Sequence, residues 1–85
     1  MPRIDANTVI WKEANAIVTI LFLASGNFFE LNKVGSDIWK LLAEGHTEEG
    51  IVEKMLQTYA VSKEKLASDV KAFIALMISN GLLQA

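Results

Sequence analysis

The chain has 85 residues, 52% of them apolar and 21% charged, with a net charge of −2 and a mean hydropathy of +0.31. Soluble domains average about 45–50% apolar and about 25% charged, so an excess of apolar side chains has to be placed. The balance disfavours disorder, and a sequence pI of 5.2 disfavours a binder of phosphate backbones.

With no cysteine and only His46, the chain has no disulfide framework, no thiolate nucleophile and no histidine metal cluster. At 9.4 kDa it is expected to expose roughly 5,000 Å² when folded, enough for one modest core. The expectation is a single domain over residues 1–85. Met1 to Asp5 carry an acid and no apolar signal region, and the apolar run Ala16–Ala24 is far short of the ~20 residues of a membrane span. The expected address is cytoplasmic, without a membrane segment.

Residues 8–12, Thr-Val-Ile-Trp-Lys, predict a first strand, followed by a turn at Glu13-Ala14-Asn15. Residues 16–23 predict the strongest strand, closed by the hairpin signal Ser25-Gly26-Asn27. Residues 28–31 predict a third strand. The second half is helical. Asn32 caps a helix to about residue 43, with Gly45 as its stop. Thr47 caps a second helix, with Glu48 and Glu49 placed well against the dipole. Ser62 caps a third, running to about Asn80, where Gly81 can take the left-handed position and Leu82 can fold back on Met77. The expected fold is α+β: a winged-helix-like βββααα chain with a three-stranded antiparallel sheet at about 8–31 and three helices at about 33–80.

Two segments carry apolar residues on both faces. In the second strand Ile17, Leu21 and Leu23 point one way around Thr19, and Val18, Ile20 and Phe22 the other. One helical layer covers only one face of such a sheet, and a wet face should be polar. In the third helix the core stripe is Leu66, Val70, Phe73, Ile74 and Met77. Beside it runs a second face of Lys65, Asp69, Ala72, Leu76 and Ser79, small at Ala72 and apolar at Leu76. The third strand ends the meander, so it is an edge blunted only by Asn27 and Glu30. An open edge beside an apolar helix face fits β-strand addition. The plainer reading is that loops, the N-terminal tail or a second copy covers these faces.

No catalytic constellation is found. The serines lack a base other than His46 in a Gly-His-Thr loop, Glu48 and Glu49 are helix-start acids, and there is no phosphate-loop glycine pattern. No metal site and no cofactor are expected. A winged-helix DNA-binding regulator is one alternative, but recognition needs cations. None occurs in the fourteen residues after Lys71, nor at the hairpin tip. A homo-oligomeric scaffold, with the second sheet face paired on itself as a homodimer, is the other.

The ordered set Asn27-Phe28-Phe29-Glu30-Leu31-Asn32, Gly35, Ile38-Trp39, Leu42, Gly45, Thr47, Leu56, Tyr59, Val61, Asp69-Val70 and Gly81-Leu82-Leu83 resembles the PqqD-like family over about residues 8–84. These domains are precursor-peptide recognition elements in pathways of ribosomally made, modified peptides. The resemblance implies a non-catalytic domain that binds the leader segment of a precursor peptide as an added strand. It then presents that peptide to a modifying enzyme or protease. By position, the strand contacts would be Asn27, Phe28, Phe29, Glu30 and Leu31. The helix contacts would be Lys65, Asp69, Ala72, Leu76 and Ser79. The Phe-Glu-Leu-Asn and Gly-Leu-Leu segments look closest to stand-alone members of lasso-peptide pathways. Low charge on the groove favours apolar anchors.

Overall fold

Strands β1 (Val9–Ala14), β2 (Ile17–Phe22) and β3 (Asn27–Glu30) form an antiparallel sheet in the order β1-β2-β3 in a computed structural model that describes residues 2–85. Helices α1 (Lys33–Ala43), α2 (Glu48–Met55) and α3 (Lys63–Ser79) follow. The α+β βββααα order is the one read from the sequence.

The first turn lies later than expected. Ala14 pairs with Ile17, so the loop is Asn15-Ala16, and both have positive φ, 54° and 68°. A two-residue loop of this kind matches the right-handed twist of its strands. Asn tolerates that backbone and Ala resists it, so Ala16 carries no turn signal in the sequence. Gly26, at φ 75°, serves the second hairpin, where its N–H donates to the Phe22 carbonyl at 2.8 Å.

Pairing register sorts the side chains into two faces. Val9 opposite Phe22, Trp11 opposite Ile20, and Phe29 on the far side of Ile20 share the inner face. Val9, Val18, Ile20 and Leu31 are buried there under α1, α2 and α3. Trp11 meets Trp39 of α1 edge to face, with centroids 6.3 Å apart, so the first-strand tryptophan belongs to the helical side. Trp39, Ile38, Ile51, Val70 and Leu82 complete the densest part of the core.

The helix ends follow their capping residues. Asn32, Thr47 and Ser62 each accept a hydrogen bond from the backbone N–H three residues on, at 2.8, 3.0 and 3.1 Å. At the end of α3, Gly81 has φ 78°, its N–H donates to the Ile78 carbonyl, and the Leu82 N–H donates to the Met77 carbonyl. This turn drives Leu82 and Leu83 into the core, and the next residue closes a bridge between Gln84 and Arg3.

Candidate functional site

The strand β3 is exposed at all four residues, and it is a sheet edge. The other edge is closed off differently. On β1, Glu13 is tied to Lys40 of α1 at 2.8 Å, and Lys12 adds a second charge. Charge of this kind blunts strand addition. Along β3 only Asn27 and Glu30 are polar, and both flank the pair Phe28-Phe29.

Which backbone groups the edge offers follows from the ladder. The Leu31 N–H donates to the Val18 carbonyl at 2.9 Å, and Val18 stands opposite Leu31 in the register. Antiparallel pairs alternate between hydrogen-bonded and non-hydrogen-bonded. Phe29 therefore points its N–H and C=O at β2, and Phe28 and Glu30 point theirs outward.

Helix α3 is tied to the elements that flank this edge. Gly81, just past its end, sits so close to the Phe22 ring that an added Cβ would lie 3.6 Å away, and Phe22 pairs with Asn27 at the start of β3. At the other end of β3, a Cβ on Gly35 of α1 would lie 2.9 Å from the Phe73 ring of α3. Phe73 and Gly81 thus tie the C-terminal half of α3 to α1 and to β2, the elements that flank β3. Leu76 lies in that half and is 55% exposed. Phe29, on the inner face of the strand, is 37% exposed, and Phe73 is half-buried. Phe29 and Leu76 are thus apolar side chains left exposed on β3 and on α3.

The ten positions expected at the contact divide as follows. Asn27, Phe28, Phe29 and Glu30 form the edge strand, and Lys65, Ala72, Leu76 and Ser79 are exposed on α3. Asp69 is half-buried and pairs with Lys65 at 2.7 Å, so the N-terminal part of that face carries no net charge. Ser79 donates its hydroxyl to the Leu76 carbonyl within its own helix. Leu31 differs from these: the residue is only 9% exposed and belongs to the core, so its side chain offers a partner little surface. The reason is register: Leu31 lies on the inner face two residues beyond Phe29, under the start of α1. Phe73 of the core stripe is half-buried, and Gly35, a glycine inside a helix, marks its close packing on α1.

A second region lies on the opposite flank. A cavity of about 770 Å³ is lined by Glu13, Lys33, Asp37, Lys40 and Tyr59, among others. Asp37 accepts hydrogen bonds from Lys33 Nζ and from the Tyr59 hydroxyl. Burial pushes the Asp37 pKa up, but those two hydrogen bonds and the charges of Lys33 and Lys40 outweigh it, and the net shift is downward. Burial and the Asp37 contact raise Tyr59 to about 12. The network joins β1, α1 and the end of α2, and its consequence is for stability. A carboxylate lowered in the native state stabilises above its unfolded pKa of about 4, and the contribution is lost as pH falls through the native value. Urea midpoints from pH 7 down to 2.5 should fall less steeply for Asp37→Asn than for the parent. The neutral Tyr59 has the opposite sign and costs stability as pH rises from about 10 to 12.

Among the described residues no helix is long and apolar enough to cross a membrane. Comparison with known proteins now adds to this geometry. No curated protein matches the chain. The solved structure described as TbiB1 in complex with the TbiA(beta) leader peptide has a TM-score of 0.91 and 31% identity, covering 98% of this chain and 95% of that one. A lasso peptide synthetase B1 complexed with the leader peptide has the same fold, with a TM-score of 0.88 at 19% identity, covering 99% and 98%. The family model for coenzyme PQQ synthesis protein D matches residues 18–83, which include all but the first residue of β2, β3 and all three helices, and the chain therefore belongs to the PqqD family.

Proposed function

We propose that this protein binds the leader segment of a precursor peptide as a fourth strand on β3, with apolar side chains seated against α3. The observation that carries the reading is the exposed, open edge of Asn27–Glu30, in a chain that also leaves Leu76 of α3 exposed. Strand addition uses backbone hydrogen bonds for affinity and pockets for specificity, and this site offers both. The likeness to a leader-peptide complex at 31% identity supports it. All of residues 1–85 serve as one recognition domain in this reading.

The protein does no chemistry itself. It holds the leader so that the rest of the precursor stays near a modifying enzyme or protease of the same pathway, raising the local concentration to about the millimolar range for a short flexible connection. Such a domain works in the cytoplasm, where the precursor is made.

Fluorescence anisotropy tests the reading. The probe is a dye-labelled leader from the precursor gene adjoining this one, titrated with the full chain. Saturable binding with a Kd below about 100 µM, equivalent to about 5.5 kcal/mol, is the expected result. Weaker or non-saturating binding overturns it.

A further inference from the structure

The free edge also dictates which leader side chains are read, and on which face. We infer that the leader presents a cationic, an apolar and a second apolar residue at three consecutive positions in N-to-C order. This inference rests on strand addition at β3.

The outward-pointing backbone groups belong to Phe28 and Glu30, as the Leu31–Val18 bond requires. An added strand that continues the antiparallel sheet therefore bonds to those two residues. Its first residue stands opposite Glu30, its second opposite Phe29 and its third opposite Phe28. Residues directly opposite one another project from the same face.

The middle residue projects to the inner face, beside Phe29 and toward Leu76. Its neighbours on that face of the sheet are apolar, Phe29 beside it and Ile20 one strand further. The two outer residues extend rows already present on the other face. One row runs Ile10, Leu21, Phe28 across the sheet, with Ile10 57% and Phe28 70% exposed. A third residue beside Phe28 lengthens an apolar row that no helix covers. The next row runs Lys12, Thr19, Glu30. Lys12 is two strands away from Glu30, and among the described residues Glu30 has no ion-pair partner. The row thus ends on an unpaired negative charge at the open edge. Opposite charges across a strand pair attract and like charges repel, so a cation is favoured there and an acid is rejected. The same arrangement gives the apolar residues 10, 21 and 28 of the outer face a use that the groove alone does not.

The test uses a display library of random twelve-residue peptides selected on the full chain, followed by titration of the best peptide. Recovered sequences should share a Lys or Arg immediately followed by two apolar residues. Changing that cation to Glu should weaken binding by about threefold to tenfold, and Glu30→Lys should restore it and reverse the preference at that position. Glu30 is exposed, so folding is not at stake. Peptides that lose binding with Leu76→Arg but change less than about twofold in the charge exchange overturn this inference and leave the groove intact. A selection that yields no peptide dependent on Leu76 overturns the groove reading and this inference together.

Discussion

Ser36→Ala should lower the unfolding free energy by about 2–3 kcal/mol, an effect out of proportion to the loss of one oxygen. Ser36 is fully buried in the first turn of α1. Its hydroxyl accepts from the Val18 N–H at 2.8 Å and lies 3.3 Å from the Leu31 carbonyl, to which it donates. In an uninterrupted ladder those two backbone groups would bond each other, since Val18 stands opposite Leu31 by the register. The serine is inserted at that rung. It ends the β2–β3 pairing and pins the start of α1 to it. Removing the hydroxyl leaves a buried donor and a buried acceptor without partners, each costing about 1–3 kcal/mol. For a chain of this size the melting temperature should drop by about 10–20 °C. Urea denaturation gives the free energy, and amide exchange at Val18 should accelerate beyond the global loss. A change below about 0.5 kcal/mol, the range of ordinary surface substitutions, would mean that the strands close up and bond directly.

Leu76→Arg should act the other way, on binding and hardly on folding. Leu76 is more than half exposed, between the buried positions Ile74 and Met77 on α3. Surface changes typically fall within about 0.5 kcal/mol, a melting shift of at most about 4 °C. In the proposed complex the same side chain would be covered by the peptide strand on the side of Phe29. Losing its burial removes about 1.5–3 kcal/mol, and the affinity should fall about tenfold to a hundredfold. Calorimetry of the labelled leader against the variant, paired with a thermal melt, separates the outcomes. A folded variant that binds as tightly as the parent removes Leu76 from the site. A variant that unfolds instead returns Leu76 to the core.

These two residues illustrate where a linear reading succeeds and where it stops. Leu76 could be placed on the second face of α3 by the helical period alone, because the core stripe at Leu66, Val70, Ile74 and Met77 leaves it to one side. Ser36 could not be singled out. Nothing local distinguishes it from the other serines, and its importance comes from two strands that approach it in space.

The sequence alone determined the element order, the three N-caps and the Gly81 turn. Each depends on groups within a few residues of one another: a side-chain oxygen and the N–H three residues on, or a backbone that only glycine adopts without strain. It also located the excess of apolar residues in the second strand and the third helix. The tertiary structure decided which of those residues are buried and which stay exposed. Register alone sends Leu31 inward and Phe28 outward, since a strand reverses its faces with every residue. The contacts of Phe73 with Gly35 and of Gly81 with Phe22 tie α3 to α1 and β2, which flank β3. Local preference says that a strand is apolar. Only packing against the rest of the chain decides which of its residues remain available to a partner.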